Sequence, residues 1–456
     1  MAEPGTVAET ETVTEAQTVA EHEVTRIASD LIRFDTTNRG GGEGSEREAA
    51  EYAAGSLAEA GLDPVVLESA PGRANVVARI AGTDPGAAAL LLHGHLDVVP
   101  AEPAAWSVHP FSGEVRDDVL WGRGAVDMKN AVAVLIALAR EWARSGRGPR
   151  RDVVLAFTAD EEDTAAFGAR WLVEEHADLF DGCTEAIGES GGFTFHVTPA
   201  QGSPALRLYP IASAERGTAW LKLTAHGTAG HGSKPNKENA VTRLAQAITR
   251  IGAYEWPVRL IPAVREAIEG IAAVVVPAQA RKGRDAAELL PLLGAAAPLV
   301  AGTVRNSANP TMLRAGAKIN VIPGEAVAYV DGRVLPGFED EFAAVLDELT
   351  GPDVTWEYAH SEPPLESPVE GPLVTAMAQA LLAEDPGGSV VPYCMSGGTD
   401  AKQFARLGMA CYGYTPLVLP PGYDYYAMFH GVDERIPVSA LHASLRIMDR
   451  LLAAPA

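Results

Sequence analysis

The residues best suited to chemistry fall in five short stretches, most of them at the end of an apolar run. Leu91-Leu92-His93-Gly94-His95-Leu96-Asp97 places a histidine and an aspartate two positions apart. On a strand such residues share a face, so His95 and Asp97 can act together, the carboxylate taking the ring N–H that a metal-binding imidazole leaves over. An HxD pair alone also suits a structural histidine. Its place at the end of an apolar strand, where ligands of open α/β sheets gather, favours function. Asp127 stands in Gly122-Arg123-Gly124-Ala125-Val126-Asp127-Met128-Lys129, just ahead of a helix, where N-capping is the plain alternative. Neither GxGxxG nor the P-loop spacing is present, so these glycines do not read as a phosphate loop. Asp160-Glu161-Glu162 closes a further apolar run. Three adjacent acids repel one another unless solvent or a cation intervenes, and on a tight turn one can ligate while its neighbour holds a water. Glu189 and His430 complete the set, in Ile187-Gly188-Glu189-Ser190 and Phe429-His430-Gly431.

Together His95, Asp127, Glu162, Glu189 and His430 offer two imidazoles and three carboxylates. That donor mix suits zinc, with cobalt or manganese as substitutes. One carboxylate shared by two ions is the usual way to hold a metal pair about 3.5–4 Å apart.

The elements that must position these groups alternate. Helices are expected at 24–34, 46–60, 131–145 and 167–176, with strands at 75–80, 88–93 and 152–158. This pattern predicts an α/β fold, a mostly parallel sheet with helices on both faces. From about Ser213 to Glu362 the pattern changes to β-α-β-β-α-β, with strands at 218–225, 318–322, 326–334 and 354–358 and helices at 239–251 and 338–349. That order suits a smaller α+β domain with one sheet face covered. A long insert, Trp256–Leu299, interrupts it and is expected to shape the same domain. The organisation expected is an acidic, disordered segment at 1–23, a discontinuous catalytic domain at 24–212 and 363–456, and an inserted domain at 213–362.

Composition bounds the function. At 456 residues the chain exceeds what one core usually organises. A net charge of −24 argues against nucleic acid or an anionic membrane as a partner, and no apolar run is long enough to span a bilayer. The opening residues lack the apolar stretch of a secretory signal. Three dispersed cysteines, Cys183, Cys394 and Cys411, form no CxxC pair. A reducing, cytoplasmic setting is therefore expected.

Taken in order, the five motifs resemble those of the M20 metallopeptidases, a family of aminoacylases, carboxypeptidases, dipeptidases and desuccinylases, over about Ile27 to Leu452. The resemblance implies two zinc ions per chain, one on His95, Asp127 and Glu189 and the other on Asp127, Glu162 and His430, with Asp127 bridging. It implies Glu161 as general base acting on a water activated by the ions, and Asp97 as the residue that orients His95. The inserted domain resembles the family's lid and dimerisation domain. There His231, in Gly230-His231-Gly232, resembles a residue that reaches the partner subunit's active site, so a homodimer is implied. Asn320 and Arg333 resemble binders of a substrate carboxylate, and Gly398 and Thr399 a substrate-contacting loop. Glu rather than Asp at position 189 points toward N-acyl amino acids or short peptides as substrates and away from aminopeptidase action. A rival reading is a serine hydrolase, since Gly188-Glu189-Ser190-Gly191-Gly192 fits GxSxG. That elbow needs a helix directly after Ser190, and 193–197 reads as extended. A catalytically silent, metal-dependent binding protein is a second rival, but every expected ligand and the base are present.

Overall fold

The computed structural model describes residues 18–197 and 205–453. Most of the acidic opening segment lies outside the described residues. Its end does not: a helix spans Val19–Arg33, earlier than expected, because Thr18 and Glu21 form a capping box that satisfies each other's backbone N–H groups.

The chain first lays down β1 (Val65–Ala70), β2 (Arg73–Ile80), β3 (Ala89–His95), β4 (Val153–Thr158), β5 (Cys183–Gly188), β6 (Phe195–Val197) and β7 (Leu206–Glu215). It then crosses at Arg216 into a second sheet of β8 (Gly217–His226), β9 (Ser307–Ala315), β10 (Glu325–Val334) and β11 (Val354–Glu362). On returning it adds β12 (Leu365–Glu366), β13 (Gly388–Met395) and β14 (Ala410–Gly413) to the first sheet. The large sheet has ten strands in the order β1-β2-β4-β3-β5-β14-β7-β12, with β6 and β13 also paired to β7. Its centre, β4-β3-β5-β14, is parallel, and antiparallel strands flank it. Every residue of β3 and β4 is buried, as a central parallel strand covered on both faces requires. Helices Val19–Arg33, Lys129–Ser145 and Val438–Leu452 share one apolar cluster with these strands. The helix Ala169–Glu175 packs on the opposite face. This is the α/β architecture, a sheet with helices on both faces, expected from the alternation.

The second sheet is antiparallel, in the order β9-β10-β8-β11. One face carries Leu221, Leu223, Ala328 and Val330 against helices Ala240–Ala253 and Glu339–Thr350. Strand β9 was not expected. It is an edge strand with a proline, Pro310, and an exposed second half, so it lacks the apolar alternation by which a strand is recognised. Of the strand expected at 318–322 only Val321–Ile322 is extended, paired with Gly230–His231.

The insert behaves differently from its expectation. Its helix Pro262–Val275 and the following turns to Ala301 join a cluster with Leu208, Val391 and Cys394, on β7 and β13 of the large sheet. The second sheet is therefore left and rejoined in mid-course. The chain crosses between the two sheets at Arg216, at 254–261, at 302–306 and at 363–364.

Candidate active site

The parallel strands β3, β4 and β5 end side by side, and each delivers an acid or imidazole just beyond its last residues. His95 ends β3. Its Nδ1 lies 2.9 Å from the carbonyl oxygen of Asp97. A carbonyl can only accept, so Nδ1 carries the proton and Nε2 is left free to ligate. Nε2 sits 3.1 Å from Asp127, 3.7 Å from Glu189 and 3.9 Å from Glu161. Across Asp127, the Nε2 of His430 lies 3.4 Å from Oδ2 and 3.1 Å from Glu162. Two triads result, His95–Asp127–Glu189 and Asp127–Glu162–His430, each offering three donor atoms within 4.8 Å of one another. Asp127 is common to both.

Asp127 is not the N-cap of the helix behind it. Met128 holds that position, and the Asp127 side chain turns instead between the two histidines. Asp97 does more than face His95. Its carboxylate, 3.6 Å from Nδ1, accepts the backbone N–H groups of Glu161 and Glu162 and the amide of Asn38. One buried aspartate thus fixes both the imidazole and the turn carrying the candidate base. Asn38 also donates to Asp160, which faces Arg73, itself paired with Glu46. A continuous buried polar chain therefore braces the acidic turn from behind.

The electrostatics describe a site short of positive charge. Burial and the Glu189 carboxylate push Glu161 well above the ordinary carboxyl range. Burial and Asp127 raise Glu162 to about 7. Hydrogen bonds to Asp127 and Glu162 raise His430 to about 10. Burial alone would lower His95, but its hydrogen bonds to Asp127 and Glu189 carry it well above the usual value. The donor set fits a pair of divalent cations, and the buried Oε1 of Glu162, which has no hydrogen-bond partner, is an acceptor that a cation would satisfy.

A cavity of about 350 Å3 opens over this cluster. Its far wall is the free face of the lid sheet, where Thr218, Trp220, Arg333, His360 and Glu362 alternate inward along neighbouring strands. Arg333 is held by Asp331 at 2.8 Å and by the Thr218 hydroxyl at 3.3 Å. From the large sheet, Gly398 and Thr399 complete the wall. A Cβ at Gly398 would crowd the Lys402 ammonium, which would have to shift to admit it. The N–H and hydroxyl of Thr399 both donate to Glu215, so this residue fixes the loop and its hydroxyl proton is already committed. His231 and Asn320 are elsewhere. They meet on an exposed two-stranded pairing of distant segments, where the Gly232 N–H donates to the Asn320 carbonyl, and neither lines this cavity. Ser190 reaches the cavity with φ 71°, but the next regular element is strand β6, so the helix of a nucleophile elbow is missing.

Sequence reasoning missed Glu434. Its carboxylate is fully buried and accepts the N–H groups of Gly124, Val126 and Asp127 at 3.0, 2.7 and 3.0 Å, plus Arg123 Nη1 at 2.7 Å. It clamps the loop that presents Asp127 from 307 positions away, so no spacing rule reveals it. Glu434→Gln turns half of the acceptor into a donor facing N–H groups. It is expected to weaken metal binding by about 10–100-fold, the usual cost of losing an outer-shell partner. Metal titration checks this, and unchanged affinity would show that the clamp is dispensable.

The sequence profile of peptidase family M20/M25/M40 matches residues 91–454. The chain belongs to this family. It is 28% identical over 397 residues to the human N-fatty-acyl-amino acid synthase/hydrolase PM20D1, covering 82% of this chain and 75% of that protein. It is 29% identical over 378 residues to a succinyl-diaminopimelate desuccinylase of Stenotrophomonas maltophilia, covering 80% and 84%. Its fold matches an M20 metallo-carboxypeptidase of Sulfolobus solfataricus with a TM-score of 0.70 at 18% identity, covering 94% and 98%. As an M20 enzyme the chain is a hydrolase of amide or peptide bonds, and the two triads are its candidate dinuclear centre. No helix among its described residues is long and apolar enough to cross a membrane.

Proposed function

We propose that this M20 hydrolase cleaves the amide bond to a C-terminal amino acid, with N-acyl amino acids as the favoured substrates and short peptides as the neighbouring class. The observation that carries this reading is that Arg333 lines the same cavity as Asp127, Glu161, Glu162, Glu189 and His430. Asp331 takes the Nε and Nη2 donors of Arg333, so a substrate carboxylate would be met by its remaining guanidinium N–H groups, apart from the bond to be cut. Trp220, Met395 and Phe429 add an apolar lining suited to an acyl chain, and the relatives whose names specify fatty-acyl and succinyl substrates point the same way.

His95, Asp127 and Glu189 would hold one ion, and Asp127, Glu162 and His430 the other, zinc being the first choice by donor type. Divalent ions held there supply Lewis acidity toward an amide carbonyl and toward water. Glu161 takes a proton from the attacking water and passes it to the leaving nitrogen, so that a C–O bond forms as the C–N bond breaks. Asp97 keeps Glu161 in reach through its backbone N–H. Arg333 holds the carboxylate of the departing amino acid. His231 and Asn320 lie outside this chain's own cavity, which supports a homodimer in which a second copy presents them. A reducing, cytoplasmic setting fits three free cysteines.

The reading is tested by assaying N-fatty-acyl amino acids, N-succinyl amino acids and dipeptides, before and after chelation. Amino-acid release from an acyl substrate, abolished by chelator and restored by zinc, is the expected result. Release from dipeptides alone would overturn the acyl preference. Metal binding should also release protons. His430, at about 10 without metal, is protonated at pH 7, whereas an ion requires the neutral ring. Affinity should therefore rise with pH, and calorimetry in buffers of different ionisation heat should register proton release at pH 7. Binding independent of buffer would contradict His430 as a ligand.

A further inference from the structure

Three arginines are buried among the described residues: Arg73, Arg123 and Arg216, the last 8% exposed. Arg73 faces Glu46 and Asp160, and Arg123 faces Glu434, all within 3.0 Å. Arg216 differs. It forms no salt bridge with any described carboxylate, and its hydrogen bonds are limited to the Ser396 carbonyl at 3.4 Å and the Ser307 hydroxyl at 3.1 Å. A guanidinium taken out of water without a counter-charge is costly, and such a group is usually compensated by an anion.

Arg216 lines a second cavity, about 380 Å3, separate from the one over the metal triads. Tyr254, Trp256, Gly302, Arg305 and Ser307 line it too. Arg305 is exposed and likewise has no carboxylate partner among the described residues. The one acid on the wall is Glu255, which is exposed and pairs with neither arginine. These residues belong to three of the four segments by which the chain crosses between its two sheets, so the cavity lies where those crossings meet.

We propose that this junction cavity binds a small oxyanion, a phosphoryl or carboxylate group, gripped by Arg216 and Arg305 with help from the Ser307 hydroxyl. Both guanidinium forks match an oxyanion bidentately, which a lone ammonium does not. Glu255 disfavours a ligand that carries negative charge over its whole surface and selects one that presents a compact anionic head. The bound head would tie three crossings together and thereby restrict the lid. None of these contacts involves the metal triads, so the inference does not depend on the proposed substrate.

The test is calorimetric titration of the metal-loaded protein with inorganic phosphate and, separately, with malonate. Saturable binding of one or both is expected, weakened at least tenfold in Arg305→Ala, with hydrolysis in the absence of added anion unchanged. Arg216→Lys, which keeps the charge and loses the fork, should weaken it several-fold. Whichever anion shows this dependence identifies the head group. An anion bound only to the catalytic metals would be indifferent to Arg305→Ala. That result, or no saturable binding to the parent protein, overturns the proposal.

Discussion

Glu161→Gln is expected to fold, to keep its full complement of metal and to lose turnover by about 10²–10⁴-fold, the usual contribution of a positioned proton-transfer group. The reason lies in how Glu161 is held. Its backbone N–H is fixed by Asp97 at 3.2 Å and its carboxylate approaches the cluster without belonging to either triad. The amide of glutamine keeps the shape and removes the proton exchange. The informative measurement pairs metal content with kcat on the best panel substrate. Full metal with collapsed kcat assigns proton transfer to Glu161. Wild-type kcat would sink that role, and lost metal would make Glu161 a ligand instead.

Asp127→Ala should have the larger effect, because one carboxylate serves both triads. Its removal takes a donor from each and leaves His95 and His430 facing a gap. Metal content is expected to fall from two ions per chain toward none at concentrations that saturate the parent, with turnover lost below detection. The affinity loss should exceed the roughly 10–100-fold typical of outer-shell changes such as the one at Glu434. Retention of both ions would show that the two triads bind independently and that Asp127 bridges nothing. The two variants are also diagnostic as a pair: one separates chemistry from metal, the other removes metal and chemistry together.

The pattern of alternating elements is enough to anticipate the α/β architecture, because central strands such as β3 and β4 are mostly apolar and the helices between them have regular apolar stripes. The five-residue cluster was legible for a related reason. Each of His95, Glu161, Glu162 and Glu189 lies at or just after the end of a parallel strand, and strand ends are visible in a sequence. What escaped was whatever depends on distant partners. Glu434 reads as one more acid near the C-terminus until it is seen accepting the N–H groups of Asp127 and its neighbours. The anchoring of Thr399 to Glu215, 184 positions away, through its N–H and hydroxyl likewise has no local signal. Strand β9 escaped because an edge strand with Pro310 and an exposed half has little reason to alternate. The insert escaped because helix periodicity reports that a face is buried and says nothing about which sheet buries it.

A lid joined by one pair of neighbouring strands behaves like a page on a spine and can twist as well as turn. Here the chain passes between the two bodies four times, and the helical insert sits on one body while both its ends are rooted in the other. Each added passage removes directions of travel, much as a second bracket stops a shelf from rotating. Four passages therefore hold the two bodies more tightly than one pair of strands would. Any separation of the two bodies would have to disturb the packing of the insert's helix on Val391 and Cys394 of β13.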